Sequence, residues 1–275
     1  MSVLIAAILG LIQGITEFLP ISSSGHLAVM QNLFGMEEVD LFFDVLLHFA
    51  TLVSICVFYR RDIAEMIKEV LGFFSDIRHP KPDEGKPKPA RRLVLMIIIA
   101  TLPLFLILPV KDSIYKLSNN TYFIGAAFLI TGLILFLSDR MQNGRKNEKN
   151  MTVWDAVKIG ACQAVATLPG ISRSGSTITA GMAVGLNRTF AVKFSFLLSL
   201  PAVFAATIAS LVDALKDGVD AERIPAYLIG MAVAGITGYF AIKLVRMLSQ
   251  KGKFGKFCYY CFAVGILTIV LTIIR

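Results

Sequence analysis

Six long apolar segments constrain this chain more than any other feature of its sequence. They lie at residues 41–59, 93–110, 122–137, 190–212, 224–244 and 257–274. A helix needs about 20 mainly apolar residues to cross a bilayer core, because it rises about 1.5 Å per residue. Backbone polar groups in lipid must be satisfied internally, so such segments span as helices. The sequence therefore predicts an all-α integral membrane protein with six transmembrane helices.

The composition supports this class and excludes several others. The chain is 56% hydrophobic and 17% charged, whereas an average soluble domain has about 45–50% apolar and about 25% charged residues. A disordered chain, a nucleic-acid-binding domain and a disulfide scaffold are excluded on this ground. The four cysteines lie within apolar segments and are interpreted as packing residues.

The net charge of +8 is concentrated in particular linkers. Lys and Arg cluster in three linkers, at 60–92, 140–149 and 246–256. They are sparser in two other linkers, at 111–121 and 213–223. Because cytoplasmic loops of membrane proteins are enriched in basic residues, the first three linkers are predicted to be cytoplasmic. The six spans then alternate in direction, and both termini lie outside. The Pro-rich segment 79–89 predicts a mobile cytoplasmic loop.

Two shorter apolar stretches, at 2–19 and 153–168, do not fit simple spans. Each contains polar residues and continues into a sequence rich in Pro and Ser. Interrupted segments are tolerated at membrane depth only where protein or water covers their backbone. The two stretches therefore predict re-entrant helix hairpins at 2–35 and 153–186.

The two halves of the chain repeat each other with a shift of 150 residues. The shift superposes Gly10 on Gly160, Gln13 on Gln163, Ile21-Ser22 on Ile171-Ser172, Ser24-Gly25 on Ser174-Gly175, and Gly35 on Gly185. It also aligns the spans 41–59 and 190–212, to which the charge pattern gives opposite directions. One membrane domain made of inverted repeats, 1–138 and 151–275, is predicted. Secondary transporters have this architecture, with the functional site near the midplane between the repeats.

The first hairpin contains a carboxylate, an imidazole and three hydroxyls. Gln13 and Glu17 are four residues apart and share one helix face. Pro20 ends that helix, and the serines at 22–24 can cap the next one, which contains His26. Ionisable residues at membrane depth are costly, so Glu17 and His26 predict a functional site. The alternative is that the serines are only caps and that Glu17 and His26 form a structural pair.

The second hairpin contains the sequence Pro-Gly-Ile-Ser-Arg-Ser-Gly-Ser-Thr at 169–177. Successive backbone N–H groups of a glycine-rich turn can form an anion-binding nest. The forked guanidinium of Arg173 matches phosphate oxygens. The motif therefore predicts a phosphate-bearing ligand, and a structural ion pair between Arg173 and Glu17 is the alternative. Asp44 and His48, also four residues apart, either line the same cavity or form a satisfied polar pair.

Together the motifs resemble those of the undecaprenyl-diphosphate phosphatase family, which is linked to bacitracin resistance. The resemblance rests on Gln13-x-x-x-Glu17 followed by Pro20-Ile-Ser-Ser-Ser-Gly-His26, and on the 169–177 motif, and it extends over essentially the whole chain. It implies a hydrolase that converts undecaprenyl diphosphate to undecaprenyl phosphate and inorganic phosphate, recycling the carrier for cell-wall polymers. It also implies a multi-pass protein of the bacterial plasma (inner) membrane, with its site at the outer face.

The resemblance further implies a divalent cation, Mg²⁺ or Ca²⁺. The family has Glu or Gln at the first position of the first motif, and this chain has Gln13 there. One carboxylate, Glu17, is therefore left as a motif ligand for a metal.

We expect a catalytic set of Glu17, Ser23, His26 and Arg173. Ser23 is the preferred nucleophile, and His26 is expected to act as its acid/base partner or to be the nucleophile itself. Glu17 would orient His26 or hold the metal. The residues expected to bind phosphate or to support this set are Gln13, Ser22, Ser172, Ser174 and Thr177.

A transporter or flippase of the phosphorylated polyprenyl lipid is the main alternative, because inverted repeats are common in transporters. A structural scaffold ranks last, since it leaves Glu17, His26 and Arg173 without a purpose. The expected partners are the polyprenyl diphosphate substrate and membrane lipids, with a homodimer left open and no nucleic acid.

Overall fold

The computed structural model describes residues 2–34, 41–78, 88–217 and 221–274, and within these ranges the chain forms helices without a β-strand. The α-helices in this part of the chain are α1 Val3–Phe18, α2 Ser23–Leu33, α3 Leu41–Phe58, α4 Arg60–Arg78, α5 Pro89–Thr101, α6 Lys111–Lys116, α7 Thr121–Asp139, α8 Val153–Val165, α9 Arg173–Ala183, α10 Arg188–Asp217, α11 Ile224–Gln250 and α12 Phe257–Ile274. The predicted all-α class is confirmed.

Several helices are long and apolar enough to cross a membrane. Among the described residues there are five, at Pro89–Val110, Thr121–Asp139, Arg188–Val212, Ile224–Gln250 and Phe254–Ile274. They match five of the six predicted spans. Large apolar side chains remain exposed on them, among them Leu106 at 78% and Phe240 at 63%. Such a surface fits contact with lipid rather than water.

The remaining predicted span corresponds to α3, which meets the same criteria only together with α4. The two helices meet at an 85° bend after Phe58. The sequence predicted only a charged linker after residue 59, and α4 is instead a 19-residue helix with basic residues at its start and apolar residues such as Ile67 and Leu71 exposed. The predicted boundary at Gly35, the 79–87 part of the predicted mobile loop and residues 218–220 of the acidic linker lie outside the described residues.

Local chemistry explains the break between α1 and α2. Pro20 cannot continue α1 because its ring removes the N–H that a helix needs. Ser22 then caps α2, and its Oγ accepts a hydrogen bond from the N–H of Gly25 at 3.2 Å. The predicted capping role of this serine is confirmed.

The second helix pair is built in the same way. Ser172 Oγ accepts from the N–H of Gly175 at 3.0 Å and caps α9. At the start of α8, Thr152 and Asp155 form a reciprocal capping box, with bonds of 3.2 and 2.8 Å. These caps satisfy backbone donors that the helix interior leaves unpaired.

Glycines let both helix pairs approach their neighbours closely. A Cβ added to Gly10 of α1 would lie 2.3 Å from the carbonyl oxygen of Gly230 in α11. A Cβ added to Gly160 of α8 would lie 2.3 Å from the carbonyl oxygen of Ala100 in α5. Any larger side chain at either glycine would force the helices apart, so these contacts fix where α1 and α8 sit in the bundle.

Candidate active site

The ends of the two helix pairs touch each other. Ser174 Oγ donates to the carbonyl oxygen of Leu19 at 3.2 Å, and the N–H of Gly170 donates to Ser24 Oγ at 3.4 Å. Gly170 has φ +88°, a left-handed conformation that favours glycine. A Cβ added to Gly25 would lie 3.1 Å from the Cα of Gly170. The two motifs, about 150 residues apart in sequence, thus meet at one place.

Glu17 is the centre of this meeting point. Its side chain is buried, and Oε1 pairs with the guanidinium of Arg173. Ser23 Oγ donates to Oε2 at 2.6 Å, and Gln13 Nε2 donates to the same oxygen at 3.0 Å. One carboxylate therefore connects a helix of the first pair, a hydroxyl of α2 and the arginine of the second pair. The ion pair considered as the alternative role of Arg173 is present.

A cavity of 180 Å³ lies beside this cluster. Its polar lining comes from both helix pairs, from Glu17, Ser22, Ser23, Ser24, Ser172, Arg173 and Ser174, and from His48 of α3. The helices α2 and α9 begin at Ser23 and Arg173, so two helix N-termini lie at the cavity. Helix N-termini present free N–H groups and partial positive charge, and they attract anions.

His48 is the histidine that lines this cavity. Its Nε2 lies 3.5 Å from Glu17 Oε2. Its Nδ1 lies 2.8 Å from the carbonyl oxygen of Asp44, which can only accept, so Nδ1 donates. The side chain of Asp44 instead accepts from Gln31 Nε2 at 2.8 Å. Of the two possibilities left open for this pair, His48 lines the cavity, whereas the Asp44 carboxylate binds elsewhere.

His26 has a different setting. Its Nδ1 donates to the carbonyl oxygen of Ser22 at 2.7 Å, and its Nε2 accepts from the hydroxyl of Tyr260 at 2.8 Å. The ring stacks on Tyr260, with centroids 5.6 Å apart, and its edge meets Phe128. Both ring nitrogens thus have partners other than Glu17 and Ser23. In this arrangement His26 supports the backbone just before Ser23 rather than lining the cavity.

Two other predicted residues, Thr177 and Gln13, lie outside the cavity wall and hold residues that form it. Thr177 Oγ1 donates to the carbonyl oxygen of Arg173 at 2.8 Å and lies 2.6 Å from Ser195 Oγ. Gln13 is fully buried, and its Oε1 has no hydrogen-bond partner among the described residues. Both residues contact members of the cluster without being part of the cavity wall.

Thr131 of α7 was not predicted, although it holds the second turn in place. Its Oγ1 donates to the carbonyl oxygen of Gly170 at 3.3 Å and accepts from the N–H of Ser172 at 3.0 Å. A threonine inside an apolar span gives no sequence signal of this role, because the role depends on a contact about 40 residues away.

The arrangement can bind an anion and activate a hydroxyl. Arg173 and the two N-termini supply positive potential, and the hydrogen bond from Ser23 to Glu17 places a carboxylate where it can accept a hydroxyl proton. No group of three or more His, Cys, Asp or Glu side chains within the described ranges could hold a metal ion by itself. Any divalent cation would need oxygens from a ligand as well as from Glu17.

Comparison with known proteins agrees with this chemistry. The chain is 41% identical over 269 residues to the undecaprenyl-diphosphatase of Carboxydothermus hydrogenoformans, covering 97% of this chain and 96% of the relative. It is 42% identical over 273 residues to the undecaprenyl-diphosphatase of Methanobrevibacter smithii, covering 98% of each. Residues 6–267 match the family described as "Bacitracin resistance protein BacA". Since that match includes both helix pairs and nearly all of the chain, the protein belongs to the BacA family.

Proposed function

We propose that this chain hydrolyses undecaprenyl diphosphate, the activity for which its relatives are named. The products would be undecaprenyl phosphate and inorganic phosphate, so the reaction recycles a lipid carrier for cell-wall polymers and confers bacitracin resistance. The observation that carries the proposal is the cluster of Glu17, Ser23 and Arg173 at two helix N-termini within an apolar bundle. A lipid diphosphate needs this combination, because its head is a polyanion and its tail is hydrocarbon.

Substrate binding would begin with an exchange of partners at Arg173. In the described structure this guanidinium is held by Glu17. Two oxygens of a diphosphate offer the same fork geometry as a carboxylate and more negative charge, so they would replace Glu17 as the partner of Arg173. The hydroxyls of Ser172 and Ser174 and the free N–H groups of α9 would bind the remaining oxygens.

The chemical step would use Ser23 and Glu17. Ser23 Oγ attacks the terminal phosphorus, and its proton passes to Glu17 Oε2, which already accepts its hydrogen bond at 2.6 Å. The bond between that phosphorus and the bridging oxygen breaks, and undecaprenyl phosphate leaves. Water then hydrolyses the phosphoserine and releases inorganic phosphate. Positioning and charge neutralisation account for most of the catalysis of phosphoryl transfer.

His26 is proposed as the acid/base partner or as an alternative nucleophile. Both ring nitrogens have hydrogen-bond partners in the structure. To act in either way, the ring would therefore have to leave Tyr260 and turn into the cavity. Trapping a phosphoenzyme separates the versions. Phosphate on Ser23 supports the step above, phosphate on His26 supports the alternative, and phosphate on neither residue favours direct attack by water.

A divalent cation, Mg²⁺ or Ca²⁺, is part of the proposal. Glu17 and Gln13 Oε1, which has no hydrogen-bond partner in the described part of the chain, are oxygen donors of the kind that these ions bind, and the diphosphate would supply the rest. When bound, the ion would neutralise charge on the diphosphate. Removing it with a chelator is expected to abolish phosphate release, and adding back Mg²⁺ or Ca²⁺ is expected to restore it.

The proposed membrane arrangement has six spans and two re-entrant helix pairs, α1–α2 and α8–α9, in inverted repeats. Two observations support it. Gly10 and Gly160, which are equivalent in the repeat, make the same close approach to the second span of the opposite half. The 85° bend lets α4 lie along the membrane surface while α3 crosses it. The proposed plasma membrane location, with the site open to the outer face, is what the family resemblance implies, and the distribution of Lys and Arg supports the direction of the spans.

The repeat also supports the second candidate function, transport of the intact lipid across the membrane. Purified protein in detergent separates the two functions. Phosphate release from undecaprenyl diphosphate with Mg²⁺, lost in Arg173→Ala and Glu17→Gln, supports hydrolysis. Movement of intact lipid across vesicles without phosphate release supports transport instead.

A further inference from the structure

A second cavity opens beside Arg173, and we propose that it holds the first isoprene units of the lipid substrate. The cavity measures 460 Å³, and its wall contains Gln163 and residues of α3, α10 and the 3₁₀-helix Leu102–Leu106. We further propose that the Gln163 amide binds the phosphate that stays on the lipid. This inference rests on the proposed function and names the part of the site that recognises the lipid.

This 460 Å³ cavity, called the lateral cavity below, adjoins the 180 Å³ cavity beside Glu17, called the phosphate-binding cavity. The residues that line both are His48, Ala166, Thr167 and Arg173. A ligand whose charged end contacts Arg173 in the first cavity can therefore extend directly into the second. An uncharged chain attached to a diphosphate has this shape.

Most of the remaining wall of the lateral cavity is apolar. It is formed by Val45, Leu104, Ala202, Val203 and Ala206, with Thr207 beside them. The side chains on α10 are small at this point, which leaves space between α10 and its neighbours. An apolar wall of this kind binds hydrocarbon by removing it from water.

Another cavity next to the phosphate site is a poorer place for the chain. It measures 360 Å³ and shares Ser24, His48 and Thr167 with the phosphate-binding cavity. Its wall contains apolar side chains such as Leu27, Ile107 and Ile114, but it also contains Asp44, Gln31 and Lys111, so part of a hydrocarbon chain there would lie against charged and amide groups. Binding of the chain in this charged cavity is an outcome that the experiment below can detect.

Gln163 is the second observation that points to a ligand. Its side chain is 1% exposed, and neither amide atom has a hydrogen-bond partner among the described residues. A buried amide without partners is costly unless a ligand satisfies it. Since Gln163 and Arg173 line the same cavity, a phosphate oxygen bound at Arg173 is a suitable partner for the amide N–H.

The repeat explains why this amide is left without a partner. Gln13, its equivalent in the first half, donates to Glu17 four residues later. The residue four positions after Gln163 is Thr167, whose hydroxyl donates to the carbonyl oxygen of Ala164. The second half thus keeps the glutamine without its carboxylate, which leaves the amide available for substrate.

The first experiment fills the lateral cavity with a phenylalanine. In purified protein, Ala206→Phe is expected to raise KM for undecaprenyl diphosphate about tenfold, because the new ring occupies the space of the chain. Methyl diphosphate, which has the phosphates without the chain, should show no such change. Ala205→Phe is the matched control, since Ala205 is exposed on the same helix outside the cavity wall. Equal effects of the two variants would overturn the chain site.

The second experiment tests the amide. Gln163→Leu removes both polar atoms at similar volume, so it should leave Tm unchanged or raise it while raising KM for undecaprenyl diphosphate about tenfold. A structural amide would give the reverse, a lower Tm with an unchanged KM. That result would overturn the role of Gln163.

A binding measurement separates this inference from the proposed function. Undecaprenyl phosphate carrying a diazirine on its first isoprene unit is expected to label α10 or residues 102–106, which line the lateral cavity and not the charged one. Labelling by wild-type protein that releases no phosphate would refute hydrolysis and leave the lipid site standing. Phosphate release with labelling confined to α2 and α6, which line the charged cavity, would refute the lateral site and leave hydrolysis standing.

Discussion

The two hairpin turns have the same frame and different chemistry. Ser22 and Ser172 cap the second helix of their pairs through matching bonds to Gly25 and Gly175. The residues next to these caps differ, however. Directly after the cap, Ser23 corresponds to Arg173, and five residues before it, Glu17 corresponds to Thr167. One turn therefore supplies the hydroxyl and the carboxylate, and the other supplies the cation. The comparison teaches that two similarly capped helix N-termini carry different side chains, and that these side chains meet at one carboxylate.

The largest expected effect comes from removing the cation of the second turn. Arg173→Ala should lower kcat/KM for undecaprenyl diphosphate about 10³-fold, because it removes the main donor for charge on the phosphate. Arg173→Lys should recover little of this activity, because an ammonium lacks the paired N–H donors of a guanidinium. Phosphate release by purified protein measures both. Near-normal activity of Arg173→Ala would mean that the second turn contributes only structure.

Loss of the Glu17 carboxylate is expected to lower the rate of phosphate release about 10²-fold, because a general base is removed. Glu17→Gln keeps the size of the side chain and removes its charge, and the readout is the rate of phosphate release. Thr167→Val makes the comparison within the repeat, because Thr167 occupies the equivalent position and lines the cavity but has no carboxylate, so its loss of rate should be much smaller than that of Glu17→Gln. Similar losses in both variants would contradict the division of labour between the turns.

His26 tests how the first turn holds its hydroxyl. We expect His26→Gln to lower kcat about tenfold, because its Nδ1 bond to the Ser22 carbonyl fixes the backbone before Ser23. Tyr260→Phe, which removes the partner of Nε2, should have a smaller effect. A loss in His26→Gln as large as that in Glu17→Gln, with no change in Tm, would instead support the acid/base role that the sequence predicts.

The smallest expected effects are on stability and test the frame itself. Gly10→Ala and Gly160→Ala should each destabilise the protein by about 1–3 kcal/mol, because the added methyl collides with a neighbouring helix backbone. Gly72→Ala in α4 has open space around its Cβ and should be neutral or slightly stabilising. Thermal unfolding in detergent checks all three. A shift at only one of Gly10 and Gly160 would weaken the proposed repeat.

Hydropathy and motif spacing predicted the membrane class, five of the spans and the Ser22 cap. These features depend on contacts close in sequence or on average composition, which a sequence displays directly. The predicted roles of Ser23, Arg173 and the other site residues stay predictions, although the structure brings Ser23 and Arg173 to the same carboxylate.

Other features depend on distant packing and could not be read from spacing. The direction of the His26 ring is set by Tyr260, which is 234 residues away. The helix α4 replaces part of the linker that the charge pattern predicts, because apolar residues at helical spacing lie among its basic ones. The unpartnered amide of Gln163 emerges only once its neighbours are known.

The ion pair between Glu17 and Arg173 also has a consequence for biogenesis. Each half of the chain brings one member of the pair to the interior, because Glu17 belongs to the first half and Arg173 to the second. A single uncompensated charge among apolar helices is strongly unfavourable. Docking of the two halves is therefore expected to lower the cost of holding both charges among apolar helices, so the residues proposed for chemistry would also favour the correct assembly of the newly made chain.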